Sequence, residues 1–286
     1  MSRRIRVRTS DPRAAQILDI LLSNLPDTSS LDPLDFSLEG PGPNWQVRLP
    51  DGSCQSSASL LDAFYAVESF VYDYILPGEQ SCLVVHGAAL LHRRSGSVLL
   101  LAGPSHCGKS TLSLTLLSTG GFRYLSEEAV GIALNGRILS YPKPFRIRHG
   151  GERILAGQRG WKVPGATQSG IRYVVPPSHL IGSASCAGRL RCAIFPEFVA
   201  GSRCSSTPMT RADSIAWLAT CSTNRPGFLA AHLGRLPDLW GETEAWRLRW
   251  SDPLEAAGHI RVRLEEALAG GADPKGARTR LSGGSA

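Results

Sequence analysis

Residues 97–120 read Ser-Val-Leu-Leu-Leu-Ala-Gly-Pro-Ser-His-Cys-Gly-Lys-Ser-Thr-Leu-Ser-Leu-Thr-Leu-Leu-Ser-Thr-Gly, and this stretch decides the fold. Within it, Gly103 to Thr111 is G-P-S-H-C-G-K-S-T, a fit to the phosphate-binding pattern G-x-x-x-x-G-K-[ST]. Gly103 and Gly108 permit backbone angles that turn successive N–H groups inward around phosphate oxygens, and Pro104, Ser105, His106 and Cys107 complete the turn. Lys109 brings a point charge to the outer phosphates, and the Ser110 hydroxyl is placed to ligate Mg²⁺. The positive end of the following helix adds to the anion site. Val98 to Ala102 is a short apolar run, as a buried strand requires. Lys109 to Thr119 carries Leu112, Leu114, Leu116 and Leu117 without Pro or Gly, and Gly120-Gly121 stop the helix. Strand, glycine loop and helix are the context this pattern needs, so the chain is expected to bind a nucleoside triphosphate.

Working upstream, residues 82–91 read as a strand carrying His86, and Arg93 to Gly96 as a turn. His86 therefore lies on a strand beside the loop, either as a satisfied structural histidine or as part of the site. Asp11 to Leu25 and residues 59–76 have helical periodicity, the latter stopping at Pro77-Gly78. Residues 3–8 alternate charge and apolar character as a half-exposed edge strand does, and Trp45 to Leu49 is a strand before an Asp51-Gly52 turn. The Ser-, Asp-, Pro- and Gly-rich stretch after Leu25 reads as a loop.

Working downstream, Phe122 to Glu128 reads as a short strand ending in two acids. Carboxylates there would bind Mg²⁺ or take a proton from an attacking hydroxyl; otherwise they are solvated turn residues. Asn135-Gly136 between Ala129–Leu134 and Arg137–Tyr141 signals a hairpin. Residues 142–170 read as a long glycine-rich loop, a lid or substrate loop or simply mobile. Arg146, Arg148, Arg153, Arg159 and Lys162 in it are equivalent candidates to reach phosphate or an acidic partner. Ile171–Val175 and Leu190–Phe195 are strand-like, and Glu197 after the second is a rival magnesium carboxylate. Thr210–Thr220 is a helix, Ala245–Trp250 a strand and Asp252–Leu268 a last helix. The chain divides into an N-terminal α+β segment (1–79), a nucleotide domain (80–268) and a disordered Gly-, Ala-, Ser- and Arg-rich tail (269–286). Leu281-Ser282-Gly283-Gly284 in the tail looks like the start of a transporter-ATPase signature but lacks its context.

With 286 residues and 42% apolar content the chain can bury a sizeable core. No apolar run is long enough to span a bilayer and no signal-peptide region follows the basic N-terminus, so a cytoplasmic protein without membrane partners is expected. Its seven cysteines are odd in number and form no C-x-x-C pair, which argues for reduced thiols; Cys107 reads as a small loop residue rather than a redox switch. The net charge of +7 suits a nucleotide or acidic partner, and no nucleic-acid motif accompanies it.

Val85-His86-Gly87-Ala88, an apolar strand, G-P-S-H-C-G-K-S-T-L and then Tyr124-Leu125-Ser126-Glu127-Glu128 occur in an order that resembles the catalytic domain of bacterial HPr kinase/phosphorylase. The order looks more like that enzyme's diverged HPr kinase-related relatives, as do Pro142-Lys143-Pro144-Phe145, Ala193-Ile194-Phe195-Pro196 and Trp246 to Asp252. The resemblance implies an α/β P-loop domain of HPr kinase catalytic-domain type that uses ATP and Mg²⁺ to phosphorylate a hydroxyl. It implies that Gly103 to Thr111 hold the triphosphate, that Glu127 deprotonates the acceptor, that Glu128 lies near the metal with Ser110, and that His86 lies close to the transferred phosphate. Glu127-Glu128 depart from the family's Asp-Asp, and no match to the later Arg-Gly-rich signature supports the reverse, phosphorylase reaction. Relatives of this kind phosphorylate serine on a protein or on a ribosomally made peptide such as a lasso-peptide precursor, or act on small hydroxyl compounds, and are often oligomers. The alternatives are a nucleotide-dependent scaffold and a simple NTPase using Glu197.

Overall fold

The computed structural model describes residues 5–25, 33–40, 44–76, 81–148, 151–155, 158–182 and 188–270. The expectations for Arg3 and Arg4, Pro77-Gly78, Cys186, the tail beyond Gly270 and Leu281 to Gly284 lie outside these residues.

The chain opens with β1 (Ile5–Arg8) and α1 (Pro12–Leu22), whose N-terminal amides at Arg13 and Ala14 are capped by the Asp11 carboxylate. β2 (Leu34–Glu39), β3 (Trp45–Arg48) and β4 (Cys54–Ser57) follow, in the sheet order β1-β2-β3-β4, with β1 on its edge. β2 corrects the loop expected after Leu25. Leu34, Phe36 and Leu38 alternate with Asp35, Ser37 and Glu39, a period-two pattern obscured in the sequence by flanking Pro and Gly. α2 (Leu60–Phe70), capped by Ser59, continues through one π-helical turn over Val71–Ile75.

Next come β5 (Cys82–His92), β6 (Val98–Ala102), α3 (Lys109–Ser118), β7 (Phe122–Ala133) and β8 (Ile138–Leu139). After β9 (Phe145–Ile147), β10 (Lys162–Ala166) and β11 (Arg172–Val175) the chain runs through β12 (Leu190–Phe198), β13 (Ser205–Pro208) and α4 (Arg211–Thr220). It closes with α5 (Arg225–His232), α6 (Leu236–Trp240), β14 (Glu244–Trp250) and α7 (Pro253–Gly270). The large sheet has the order β13-β14-β12-β6-β5-β7-β8. β12 runs parallel to both β6 and β14, while β5 is antiparallel to β6 and β7. This is an α/β architecture built on mixed sheets.

β6 is the central strand, and its residues divide between two cores. Leu99 and Leu101 pack with Leu112 and Leu116 of α3 and Ile260 and Leu264 of α7. Val98, Leu100 and Ala102 face the opposite core with Leu218 of α4, Phe228 of α5 and Trp240 of α6. Burial on both faces is why this strand is apolar at every position rather than at alternate ones. Each such leucine contributes about 1.5–3 kcal/mol. A third core joins α1, α2, β2 and β3 to Cys82 and Val84 of β5, Ala129 of β7 and Tyr173 and Val175 of β11.

Residues 142–170 are not a long structureless loop. They contain β9, a 3₁₀ turn over Gly151–Leu155 and β10, and with β11 they form a small sheet of order β10-β11-β9. The glycines serve local geometry: Gly160 and Gly170 lie in turns with positive φ, and Gly165 lies beside an irregularity in the β10–β11 register. Nor does the strand after α3 end at its two acids, because β7 continues to Ala133. Glu197 likewise lies inside β12, opposite Arg249 of β14, rather than after the strand. The Asn135-Gly136 hairpin forms between β7 and β8, with Gly136 at φ 75°. Among the described residues no helix is long and apolar enough to cross a membrane.

Candidate functional site

β6 delivers the chain into the glycine loop, and α3 begins at Gly108 with φ 91° and no side-chain cap. The loop rests on Trp250 at the end of β14: the indole Nε1 donates to the Cys107 carbonyl at 3.3 Å. A Cβ on Gly108 would lie 2.1 Å from Cζ2 of that indole, so both φ and space require glycine. His106 is also left-handed, at φ 69°. Lys109 folds back into the loop, donating to the carbonyls of Gly103 at 3.0 Å and Pro104 at 2.8 Å. Burial pushes the Cys107 thiol up despite the Lys109 charge, which favours the protonated thiol. Thr111 occupies the first turn of α3.

The Ser110 hydroxyl donates to Glu127 Oε1 at 2.5 Å. Glu127 is 5% exposed, and its Oε2 has no hydrogen-bond partner among the described residues. The nearest cation to that oxygen among the ion pairs is Lys143, with Nζ at 3.9 Å. Lys143 also lies 2.7 Å from Glu128 and 3.2 Å from Glu68 of α2. Arg146 pairs with Glu128 and stands over the Tyr65 ring. Tyr173 donates to the second Glu68 oxygen at 2.8 Å, and Tyr124 donates to the Lys143 carbonyl at 2.7 Å. Burial opposes the Lys143 charge, but Glu68 and then Glu127 outweigh it and raise its pKa.

A regular strand sends neighbouring side chains to opposite faces. Here one lysine reaches both Glu127 and Glu128 because β7 is irregular. Its register against β5 shifts between Ser126 and Tyr124, and Glu128 takes φ 70°. The result separates the two acids: Glu127 meets Ser110, while Glu128 is engaged by Lys143 and Arg146.

His86 lies on β5 beside the loop. Its carbonyl accepts from the Gly103 amide at 3.4 Å, and its ring stands edge-on to Tyr72 at 6.2 Å. Burial, then the charges of Lys109, Arg146 and Lys143, hold its pKa down to about 4, so it is neutral at pH 7. The unfolded chain therefore takes up a proton at higher pH than the folded one. The resulting stabilisation is complete above about pH 6.5 and is lost as pH falls towards 4. His86→Gln is expected to flatten this part of the stability profile by about 2 kcal/mol, a figure discounted for the solvent-facing part of the ring. Urea unfolding at pH 7 and pH 4.5 measures it; equal acid sensitivity in both proteins would exclude His86 as the source.

His86 and Ser105 open onto a cavity of about 340 Å³ between α2 and the loop, shared with Tyr72, Tyr141, Lys143 and Arg148. The structure thus gathers Lys109, Ser110 and Glu127 into one site with His86 at its margin. Glu197 is exposed on β12. Glu68, Tyr173 and Trp250 were not among the site residues expected from the sequence, although Tyr173 and Trp250 fall in expected strands. A lone carboxylate amid Phe64, Val67 and Val71 was the available signal for Glu68, since a buried acid needs a partner. Searches found no protein-family model matching the chain and no significantly similar curated protein.

Proposed function

We propose that the chain is a P-loop kinase of the HPr kinase-related type that transfers the γ-phosphoryl group of ATP to a hydroxyl, on serine of a peptide or protein. The observation that carries this reading is the Ser110–Glu127 hydrogen bond, with the second Glu127 oxygen buried, 3.9 Å from the Lys143 ammonium and without a hydrogen bond among the described residues. A buried acceptor without a donor is costly in a purely structural setting and useful where a proton must be taken. The acceptor oxygen attacks the γ-phosphorus as the bond to the β–γ bridging oxygen breaks. ADP leaves with that electron pair, and the hydroxyl proton passes to Glu127 Oε2. Lys109 exchanges its carbonyl partners for the outer phosphates, and the amides in the first turn of α3, which has no side-chain cap, face the same charge. Glu128, expected near the metal, is instead held by Lys143 and Arg146, so Ser110 and Glu127 Oε1 are the hard oxygen donors that would fit Mg²⁺, which when bound would neutralise phosphate charge. The 340 Å³ cavity beside Ser105 gives the acceptor side chain room and also admits a free hydroxyl compound. The unpaired thiols of Cys107, Cys192, Cys204 and Cys221 suit a reducing compartment.

Glu127→Gln is expected to lower phosphoryl transfer by about 10²–10⁴-fold with ATP affinity kept within about threefold. Glu197→Gln is expected to leave transfer unchanged. Mass spectrometry of a precursor peptide, HPr and free serine after incubation with ATP and Mg²⁺ reads the first effect, and calorimetric ATP binding the second. Wild-type transfer by Glu127→Gln, or loss of transfer in Glu197→Gln, would remove Glu127 as the base.

A further inference from the structure

The basic residues between positions 142 and 170 are equivalent in sequence but not in the fold. Arg146 is committed to Glu128 and to the face of Tyr65. Arg148 instead reaches the glycine loop: its Nη1 lies 3.4 Å from His106 Nε2. Among the described residues, no carboxylate forms an ion pair with Arg148. Its backbone is firmly placed, because Phe145 and Ile147 just before it are buried in the core under α3. The side chain itself is exposed and lines the same cavity as Ser105. The loop residue it meets, His106, is in the left-handed region, a conformation that a non-glycine residue holds only where its surroundings impose it.

From this geometry we infer that Arg148 is a catalytic residue, a guanidinium supplied from within the same chain to the transferring phosphoryl group. The inference rests on the kinase reading above. A guanidinium at the boundary between loop and acceptor cavity is where charge spreads over the phosphoryl oxygens as the bond to ADP breaks and the bond to the acceptor forms. Arg148 leaves His106 and donates to those oxygens; the acceptor proton still passes to Glu127. A planar, permanently charged fork suits this task better than an ammonium group.

The test uses the full-length protein and a mimic of the transferring group, which makes it independent of the acceptor. Binding of ATP with Mg²⁺, and of ADP with Mg²⁺ and aluminium fluoride, is measured by calorimetry for the wild type, Arg148→Ala and Arg148→Lys. Arginines of this kind are worth about 10³–10⁵ in rate, so affinity of Arg148→Ala for the mimic is expected to fall by about 100-fold or more. ATP affinity is expected to stay within about threefold, with Arg148→Lys intermediate. Equal affinity of Arg148→Ala and wild type for the mimic would overturn the assignment. Equal weakening for ATP and mimic would also overturn it, by making Arg148 a ground-state phosphate ligand. A wild type that binds no nucleotide would sink the kinase reading itself, and the role of Arg148 with it. A wild type that binds ATP but gains no affinity for the mimic would sink phosphoryl transfer while leaving nucleotide binding intact.

Discussion

Lys143→Met is expected to destabilise the protein by about 3–5 kcal/mol, the usual cost of removing one member of a buried ionic cluster. The lysine is 5% exposed, and its ammonium is the common partner of Glu68, Glu127 and Glu128. Methionine fills a similar volume but leaves three carboxylates near one another, with Arg146 as the remaining cation paired to Glu128. Adding Glu68→Gln removes one of the stranded charges, so the double variant should recover part of the loss. Guanidinium unfolding of both variants measures it. A cost below about 1 kcal/mol for Lys143→Met would mean that the cluster is screened by solvent and does not hold the acids in place.

Gly108→Ala is expected to destabilise the fold by about 2–3 kcal/mol and, on the proposed kinase reading, to weaken ATP binding by about 100-fold or more. Two causes act together. The residue sits at φ 91°, and the new methyl would enter the Trp250 ring at 2.1 Å. Gly120→Ala separates them. Gly120 has φ 80° with nothing within 4 Å of a built Cβ, so it carries the backbone strain alone, worth about 1 kcal/mol. Calorimetric ATP binding and urea unfolding of both variants provide the comparison. Identical behaviour would mean that the loop moves off Trp250 without consequence.

The centre of the fold was legible because local signals there agree. An unbroken apolar run gave β6, Gly120-Gly121 ended α3, and Asn135-Gly136 turned the β7–β8 hairpin. The alternation in β2 was present but masked by its Pro- and Gly-rich flanks. Of the small sheet only β11 was legible; β9 and β10 were not, since glycines that read as loop prove to serve turns and an irregular register. Glu127 and Glu128 could be singled out as a pair, but their separation depends on the φ of Glu128 and on a register shift against β5. Neither has a local sequence mark. Glu68, Lys143 and Tyr173 meet through tertiary contacts between distant parts of the chain, beyond any spacing rule.

The cluster around Lys143 also bears on how the chain is made. During synthesis Glu68 emerges first, then Glu127 and Glu128, then Lys143, and Tyr173 last. Until the strand bearing Tyr173 has docked, Glu68 lacks one of its two partners and Lys143 one of the walls that exclude water from it. A ribosome-bound fragment ending just after Arg148 would carry the complete glycine loop and both acids without their native enclosure. The enclosed cluster that holds the two acids apart should thus form late in translation, when the last wall closes.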